Sequence, residues 1–307
     1  MIELKNASRW YGQVIGANDI SLTIQAGITA LLGPNGSGKS TMIKMITGQL
    51  RPTTGSVRVD GMNPFANPKV YAQMGYCPEF EQGYEEMNGR EFVWQMASMA
   101  GIPQTKLKEQ VDWALEEVKI TAAADRAIGG YSKGMRQRVK IAQAIVHNPR
   151  ILVLDEPLNG LDPLGRHEIC ELMLRYASEG RCVLVSSHIL HEVEQLTQNI
   201  VLLFRGRMLA QGDVRQLRTL IDNHPHRILI QSTQPRELAS ALITWPHVLN
   251  VQLDKTDQGW LEVQVDSPAE FYALLQQMVI EKGFLVDEVS SPDNNLEAVF
   301  NYLVKSS

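Results

Sequence analysis

The stretch GPNGSGKST decides how this chain folds, and it comprises residues Gly33, Pro34, Asn35, Gly36, Ser37, Gly38, Lys39, Ser40 and Thr41. It follows the apolar run ITALL and precedes a segment with helical composition, Thr41 to Gly48. In the pattern G-x-x-x-x-G-K-[ST], glycines let backbone N–H groups point inward around phosphate oxygens. We therefore expect Lys39 to reach the β- and γ-phosphates of a nucleotide and Ser40 to ligate Mg²⁺. The competing interpretation is a glycine turn without a ligand.

The run ILVLDEP, Ile151 to Pro157, predicts a second part of the same site. Its apolar residues indicate a strand buried on both faces, and Asp155 and Glu156 follow at the carboxyl end, where α/β folds place ligands. Asp155 is a candidate Mg²⁺ ligand, directly or through water. Glu156 is a candidate general base that polarises an attacking water. Alternatively, the acidic pair only caps a turn.

A histidine also follows a buried strand, in SSHILHE from Ser186 to Glu192. We expect His188 to hydrogen-bond the γ-phosphate and orient the water. His191 is a competing candidate, and a single histidine at a strand end is more often structural.

The order of elements predicts two domains, at 1–220 and 221–307. In the first, apolar strands alternate with helices, which indicates a parallel α/β sheet. Two short antiparallel strands open it, and residues 88–127 are mostly helical with a break near Gly101. After the turn residues IDNHPH, the order β-α-β-β-α-β is typical of a ferredoxin-like fold, with a final helix LEAVFNYLV.

Composition narrows the possible partners. Residues 1–220 hold 24 basic and 22 acidic residues, and residues 221–307 hold 5 and 12, so neither part has the basic excess of a nucleic-acid binder. The three cysteines, Cys77, Cys170 and Cys182, predict reduced thiols and no disulfide framework. No apolar run approaches the roughly 20 residues of a membrane span, and the N-terminus lacks a signal-peptide core. We expect a chain that is soluble by itself.

The stretch GYSKGMRQRVKIAQAI, from Gly130 to Ile145, predicts a helix capped by Ser132. Its apolar residues repeat at helical spacing, as in an ordinary surface helix. Alternatively, Ser132, the backbone of Gly134 and the positive helix end form an anion site.

Taken together, these motifs resemble the ATPase subunit of ATP-binding cassette transporters over about residues 2–215. The loop at Gly33 is similar to the family's Walker A motif and ILVLDE to its Walker B strand. LNGLD, ending at Asp162, resembles the D-loop, and YSKGM stands where the signature LSGGQ normally lies. The resemblance implies a P-loop NTPase fold with antiparallel β and α-helical subdomains. It also implies His188 as the switch histidine and Tyr11 as the residue that stacks on adenine, with Trp10 as the alternative.

The same resemblance implies that two ATPase subunits pair head to tail. Ser132 and Gly134 would then face the γ-phosphate bound by the opposite subunit. Two departures stand out: Lys133 and Met135 replace signature residues, and Glu79 replaces the family's Gln as a contact for Mg²⁺ or water. Both departures resemble the ABC-2 class of bacterial exporters.

A membrane partner is also implied. The family places its contact with a transmembrane permease subunit near Glu79 to Gly101, where Phe92, Trp94, Met96 and Met99 supply apolar side chains. The alternative is that most of these side chains are core. We expect a peripheral protein on the cytoplasmic face of the membrane that binds ATP and Mg²⁺ and no nucleic acid. The competing functions are a soluble cassette ATPase of translation or DNA repair, and a nucleotide sensor with little turnover.

Overall fold

A computed structural model describes residues 1–79, 84–189, 193, 195–213, 225–253, 259–291 and 300. The chain divides into two compact units, Met1–Gly212 and Asp213–Ser307. The boundary that we expect at 220/221 lies outside the described residues and stays a prediction. Within the described part, no helix is long and apolar enough to cross a membrane.

The first unit combines a parallel sheet, an antiparallel sheet and helices. Its strands are β1 Ile2–Tyr11, β2 Val14–Ile24, β3 Gly27–Leu32, β4 Thr54–Val59, β5 Met74–Cys77, β6 Ile151–Leu154, β7 Cys182–Ser187, β8 Asn199–Phe204 and β9 Arg207–Asp213. Its helices are α1 Lys39–Ile46, α2 Pro68–Tyr71, α3 Gly89–Met99, α4 Gln104–Glu117, α5 Lys133–Ile145 and α6 Pro163–Ser178. The six-stranded sheet has the order β5-β6-β7-β3-β8-β9, and the three-stranded sheet has the order β2-β1-β4.

The predicted parallel sheet is confirmed. Strand β7 pairs in parallel with β3 on one side and with β6 on the other. All residues of β6 and β7 are buried, as expected for strands that are covered on both faces. The antiparallel strands at the start are confirmed as well, since β1 pairs with β2 and β4. Their buried residues share one core with α1.

Several helices begin at clear sequence signals, whereas the helix expected from Thr41 to Gly48 begins and ends two residues earlier, as α1. Asn88 and Glu91 form a capping box at the start of α3. Pro103 caps α4, so the predicted break near Gly101 is confirmed. Ser132 caps α5 by accepting a hydrogen bond from the Met135 amide at 3.2 Å. The helix predicted over 189–197 lies largely outside the described residues.

The second unit has the predicted ferredoxin-like order. Its elements are β10 His226–Ser232, α7 Pro235–Leu242, β11 Val248–Leu253, β12 Trp260–Val265, α8 Pro268–Lys282 and β13 Val286–Ser290. The sheet order is β11-β12-β10-β13, and every pair is antiparallel. Alternate strand residues and both helices enclose a separate core around Phe271. The helix predicted at the end of the chain lies outside the described residues, except for Phe300.

Helix α5 lies unusually close to strand β5. A Cβ atom on Gly75 would stand 1.9 Å from the backbone oxygen of Ala144. Real side chains do not tolerate this distance, so glycine at position 75 permits the close approach of helix and strand.

We expect Gly75→Ala to lower the free energy of unfolding of the first unit by about 1–3 kcal/mol, because the added methyl group pushes α5 away from β5. Thermal unfolding measures the effect. Gly130→Ala is the matched control, because no atom lies within 4 Å of its added Cβ. Equal melting temperatures for the two variants would contradict the prediction.

Candidate functional site

The predicted phosphate and acid residues meet at one edge of the parallel sheet. Strands β6, β7 and β3 are neighbours, and their carboxyl ends lie side by side. The loop after β3 carries Lys39, and β6 and β7 are followed by Glu156 and His188. The topology therefore brings together residues that are up to 149 positions apart in the chain.

The glycine loop is closely packed against its surroundings. Gly38 has φ = +107°, and a Cβ there would lie 2.6 Å from the Gly16 oxygen. A Cβ on Gly33 would lie 2.3 Å from the Leu203 oxygen. These positions explain the glycines of the motif, because no side chain fits either place. The buried hydroxyl of Ser37 has no hydrogen-bond partner.

Lys39 holds the loop and the acidic strand end together. Its ammonium group donates a hydrogen bond to the Gly33 oxygen at 2.6 Å. The same group lies 3.6 Å from Glu156 Oε1, and both side chains are 7% exposed. A buried cation beside a glycine loop can bind the phosphates of a nucleotide.

Glu156 also contacts His188. His188 Nδ1 lies 2.8 Å from Glu156 Oε2, and in this hydrogen bond the ring N–H donates to the carboxylate oxygen. The backbone of Glu156 is left-handed, with φ = +51°, a conformation that costs on the order of 1 kcal/mol outside glycine. Such strain concentrates at functional sites. The two residues predicted to activate water thus form one hydrogen-bonded pair.

A serine that the sequence motifs do not single out organises the acidic end of β6. The Ser186 hydroxyl donates to Asp155 Oδ1 at 2.6 Å and accepts from the Glu156 amide at 2.9 Å. Burial raises the pKa of Asp155, the Ser186 hydrogen bond lowers that pKa, and the charge of Glu156 raises it again. Ser186 is part of β7, two residues before His188, and this position at the end of a buried strand could have marked it as a site residue.

The carboxyl group of Glu79 is influenced by the charges of Asp155 and Glu156. Loss of solvation raises the pKa of its carboxyl group, and the charges of Asp155 and Glu156 raise it further. Lys39 and His188 act in the opposite direction. The three carboxylates together exceed the positive charge of Lys39, and a divalent cation would correct this imbalance.

The donor set fits Mg²⁺ held partly by phosphate. Asp155, Glu79 and the hydroxyl of Ser40, on the first turn of α1, are the predicted ligands. The described part of the chain contains no group of three or more His, Cys, Asp or Glu residues arranged to hold a metal by themselves. Mg²⁺ is commonly bound by one or two carboxylates together with substrate phosphates and waters.

Tyr11 lies next to the start of α1. Its hydroxyl is 3.5 Å from Thr41 Oγ1, and its ring is 43% exposed. A Cβ on Gly16 would stand 2.6 Å from this ring, so Gly16 makes room for it. Trp10 is equally exposed, and its backbone N–H donates to Thr53. Of the two aromatic candidates, Tyr11 is thus the one that contacts the helix of the phosphate loop.

The N-terminus of α5 is a separate feature of the first unit. Ser132 is exposed, and among the described residues no hydrogen bond joins Ser132 or Gly134 to the phosphate loop of the same chain. A Cβ on Gly134 would lie 3.2 Å from the oxygen of Gly160, in the turn before Asp162. Asp162 caps α6 by accepting from the Gly165 amide at 2.8 Å.

A groove runs beside α3 in the first unit. Its volume is about 590 Å³, and its apolar lining includes Met74, Tyr84, Phe92, Met96 and Met99. Met99 is 81% exposed and Phe92 only 7% exposed. Trp94 does not line this groove, so of the four side chains expected at a partner contact, three lie here.

Comparisons with known proteins agree on one family. The family model described as "ABC transporter" matches residues 17–159. The ABC transporter ATP-binding protein YxlF of Bacillus subtilis is 34% identical over 71% of this chain and 72% of its own length. The Nod factor export ATP-binding protein I of a Rhizobium species is 32% identical over 82% and 83%. The bacitracin transport ATP-binding protein BcrA of Enterococcus faecalis is 36% identical over 71% and 70%.

Solved structures are similar over the first unit. An ATP-binding subunit of an ABC transporter shares 31% identity and a TM-score of 0.67, covering 72% of this chain and 93% of its own. A bacterial transporter cassette, MJ0796, solved as a dimer, has a TM-score of 0.65 at 24% identity, which supports the fold. It covers 70% of this chain and 99% of its own.

We expect Ser186→Ala to shift the pH midpoint of Mn²⁺ binding in the presence of ATP upward. Loss of the hydroxyl removes the hydrogen bond that favours ionised Asp155, so the carboxyl group stays protonated to a higher pH and ligates the metal less well. Electron paramagnetic resonance of free Mn²⁺ measures the midpoint. Ser187→Ala on the same strand is the control, and identical midpoints for wild type and Ser186→Ala would contradict the prediction.

Proposed function

The chain belongs to the ATP-binding cassette transporter family, and from this we propose that it is the ATP-hydrolysing subunit of an ABC-2-type membrane exporter. The chain has the family's ATP-binding cassette fold and its ATPase machinery. The membrane subunit and the exporter class are our proposal. The signature YSKGM and the similarity to proteins named for Nod factor export and bacitracin transport support it.

The observation that carries the proposal is the convergence of Lys39, Asp155, Glu156 and His188 at one sheet edge. In our proposal Lys39 binds the γ-phosphate, and Glu156 accepts a proton from the attacking water. His188 holds the Glu156 carboxylate through Nδ1, which leaves Nε2 available for the phosphate. Mg²⁺, held by Asp155, Ser40 and Glu79, would supply positive charge to the phosphate oxygens.

The second half of each site would come from another subunit. The exposed Ser132 and the N-terminus of α5 are built to bind an anion, since the first turn presents free N–H groups and a positive dipole. They contact no phosphate loop within the described part of their own chain. We infer that they complete the ATP site of an opposite subunit in a head-to-tail pair.

The groove beside α3 is our proposed docking site for the membrane subunit. Its methionines supply flexible apolar contacts, which suit a short amphipathic helix. Cargo choice would then belong to the membrane subunit. The soluble ATPase of translation or DNA repair is the other candidate, and the near balance of charge over 1–220 counts against nucleic acid as a partner.

We expect Glu156→Gln to reduce ATP turnover at least about 100-fold and to stabilise an ATP-bound dimer, because ATP binds and the general base is lost. Light scattering after size-exclusion chromatography measures the mass with ATP. Adding Ser132→Asp should return this variant to a monomer, because the acid repels the γ-phosphate while Asp still caps the helix. A Glu156→Gln chain that stays monomeric in ATP would contradict the shared site.

We expect Met99→Asp to weaken recovery of a polytopic membrane protein with the tagged chain from native membranes. The expected loss is about tenfold in the affinity of the chain for the membrane protein, which corresponds to roughly 1.4 kcal/mol of binding free energy. Leu174→Asp on α6 is the control, because Leu174 is an exposed apolar residue outside the groove. Normal recovery with Met99→Asp would contradict docking at the groove. Recovery of ribosomal or DNA-associated proteins alone would favour the soluble ATPase.

A further inference from the structure

Strand β5 lies at one side of the six-stranded sheet, and its carbonyl groups alternate in direction. The oxygens of Gln73 and Cys77 accept from the backbone of Ile151 and Asp155, on the side of β6. The oxygens of Met74, Tyr76 and Pro78 therefore point the opposite way, because successive carbonyls in a strand alternate. In the described part of the chain, no strand pairs with that side.

Side chains of α5 and of the turn that follows it satisfy these outward carbonyls. His147 Nε2 donates to the Met74 oxygen at 3.2 Å, and Gln143 Nε2 to the Tyr76 oxygen at 2.7 Å. Lys140 Nζ donates to the Pro78 oxygen at 3.1 Å. Three or four residues of helix rise about 4.5–6 Å, close to the roughly 6.6 Å between alternate strand residues. One face of a helix thus replaces a neighbouring strand.

Lys140 differs from the other two donors because it also binds a carbonyl group beyond the end of the strand. Its ammonium group also donates to the backbone oxygen of Glu79 at 2.8 Å. Glu79 is the residue whose carboxyl group lies in the field of Asp155 and Glu156. Lys140 lies on the same helix as Ser132, about 12 Å further along its axis. A single rigid element therefore joins Ser132 to the backbone of Glu79.

We propose that Lys140 is a positioning residue that fixes Glu79 relative to the nucleotide and ties that position to α5. The inference rests on the proposed function, in which Ser132 contacts the γ-phosphate of the opposite subunit. Because α5 is one rigid element, the position of Ser132 at that phosphate and the position of the Glu79 backbone are linked through Lys140. The ATP site of the opposite subunit is then completed at the same time as Glu79 is placed in its own site. Gln143 and His147 hold the helix to the strand without reaching Glu79.

The test compares Lys140→Met, Lys140→Arg and Gln143→Met in the full chain. Lys140→Met keeps the aliphatic stem and removes the donors, and Gln143→Met removes a neighbouring donor of the same ladder. We expect Lys140→Met to lower kcat between about ten- and 100-fold with little change in KM for ATP, as for a misplaced catalytic group. It should also weaken Mn²⁺ binding in the presence of ATP. Lys140→Arg should retain kcat, and Gln143→Met should change neither quantity.

A double-mutant cycle with Glu79→Gln separates positioning from general support of the helix. If Lys140 acts through Glu79, Lys140→Met lowers kcat by a smaller factor in the Glu79→Gln background than in the wild-type background. Fully additive losses, or equal losses in Lys140→Met and Gln143→Met, would overturn the inference. A wild-type chain that hydrolyses no ATP would overturn the proposed function itself, and this inference with it.

Discussion

The parallel pairing of β7 with both β3 and β6 is the constraint on which the rest of the first unit depends. Leu32 pairs with Ser187, so β3 and β7 end at the same level, and Leu154 pairs with Val185, so β6 ends two residues earlier. All three strands are mainly apolar, as expected for strands that are covered on both faces. The charged residues follow at the ends, where the chain leaves the sheet. The same burial that fixes the fold thus fixes where the chemistry is located.

Burial also sets the electrostatics at this edge. Asp155, Glu156 and Lys39 are all among the buried residues, and burial without a partner would favour their neutral forms. Ser186 and His188 donate hydrogen bonds to the carboxyl groups of Asp155 and Glu156, and Lys39 lies beside Glu156, so each of these buried groups has a polar partner. The site is therefore held ready for a charged ligand before the ligand arrives.

Much of the fold could be predicted from the sequence because it depends on the spacing of apolar residues and on the residues that begin or end helices and strands. Apolar runs give β3, β6 and β7, and Ser132 and Pro103 mark helix starts. The contacts of individual side chains could not be predicted in this way. Helical period gives α3 an apolar face, but it does not say that Met96 and Met99 line the groove and Trp94 does not. Ser186 and Lys140 act on partners 31 and 61 residues away, and only the folded chain shows those partners.

The ladder between α5 and β5 has a consequence beyond catalysis. A strand at the side of a sheet normally offers unpaired carbonyl and amide groups that can recruit a strand from another molecule. Here the outward carbonyls of Met74, Tyr76 and Pro78 are already occupied by side-chain donors. Helix α5 therefore protects this side of the sheet from edge-to-edge aggregation, and it does so without adding a strand.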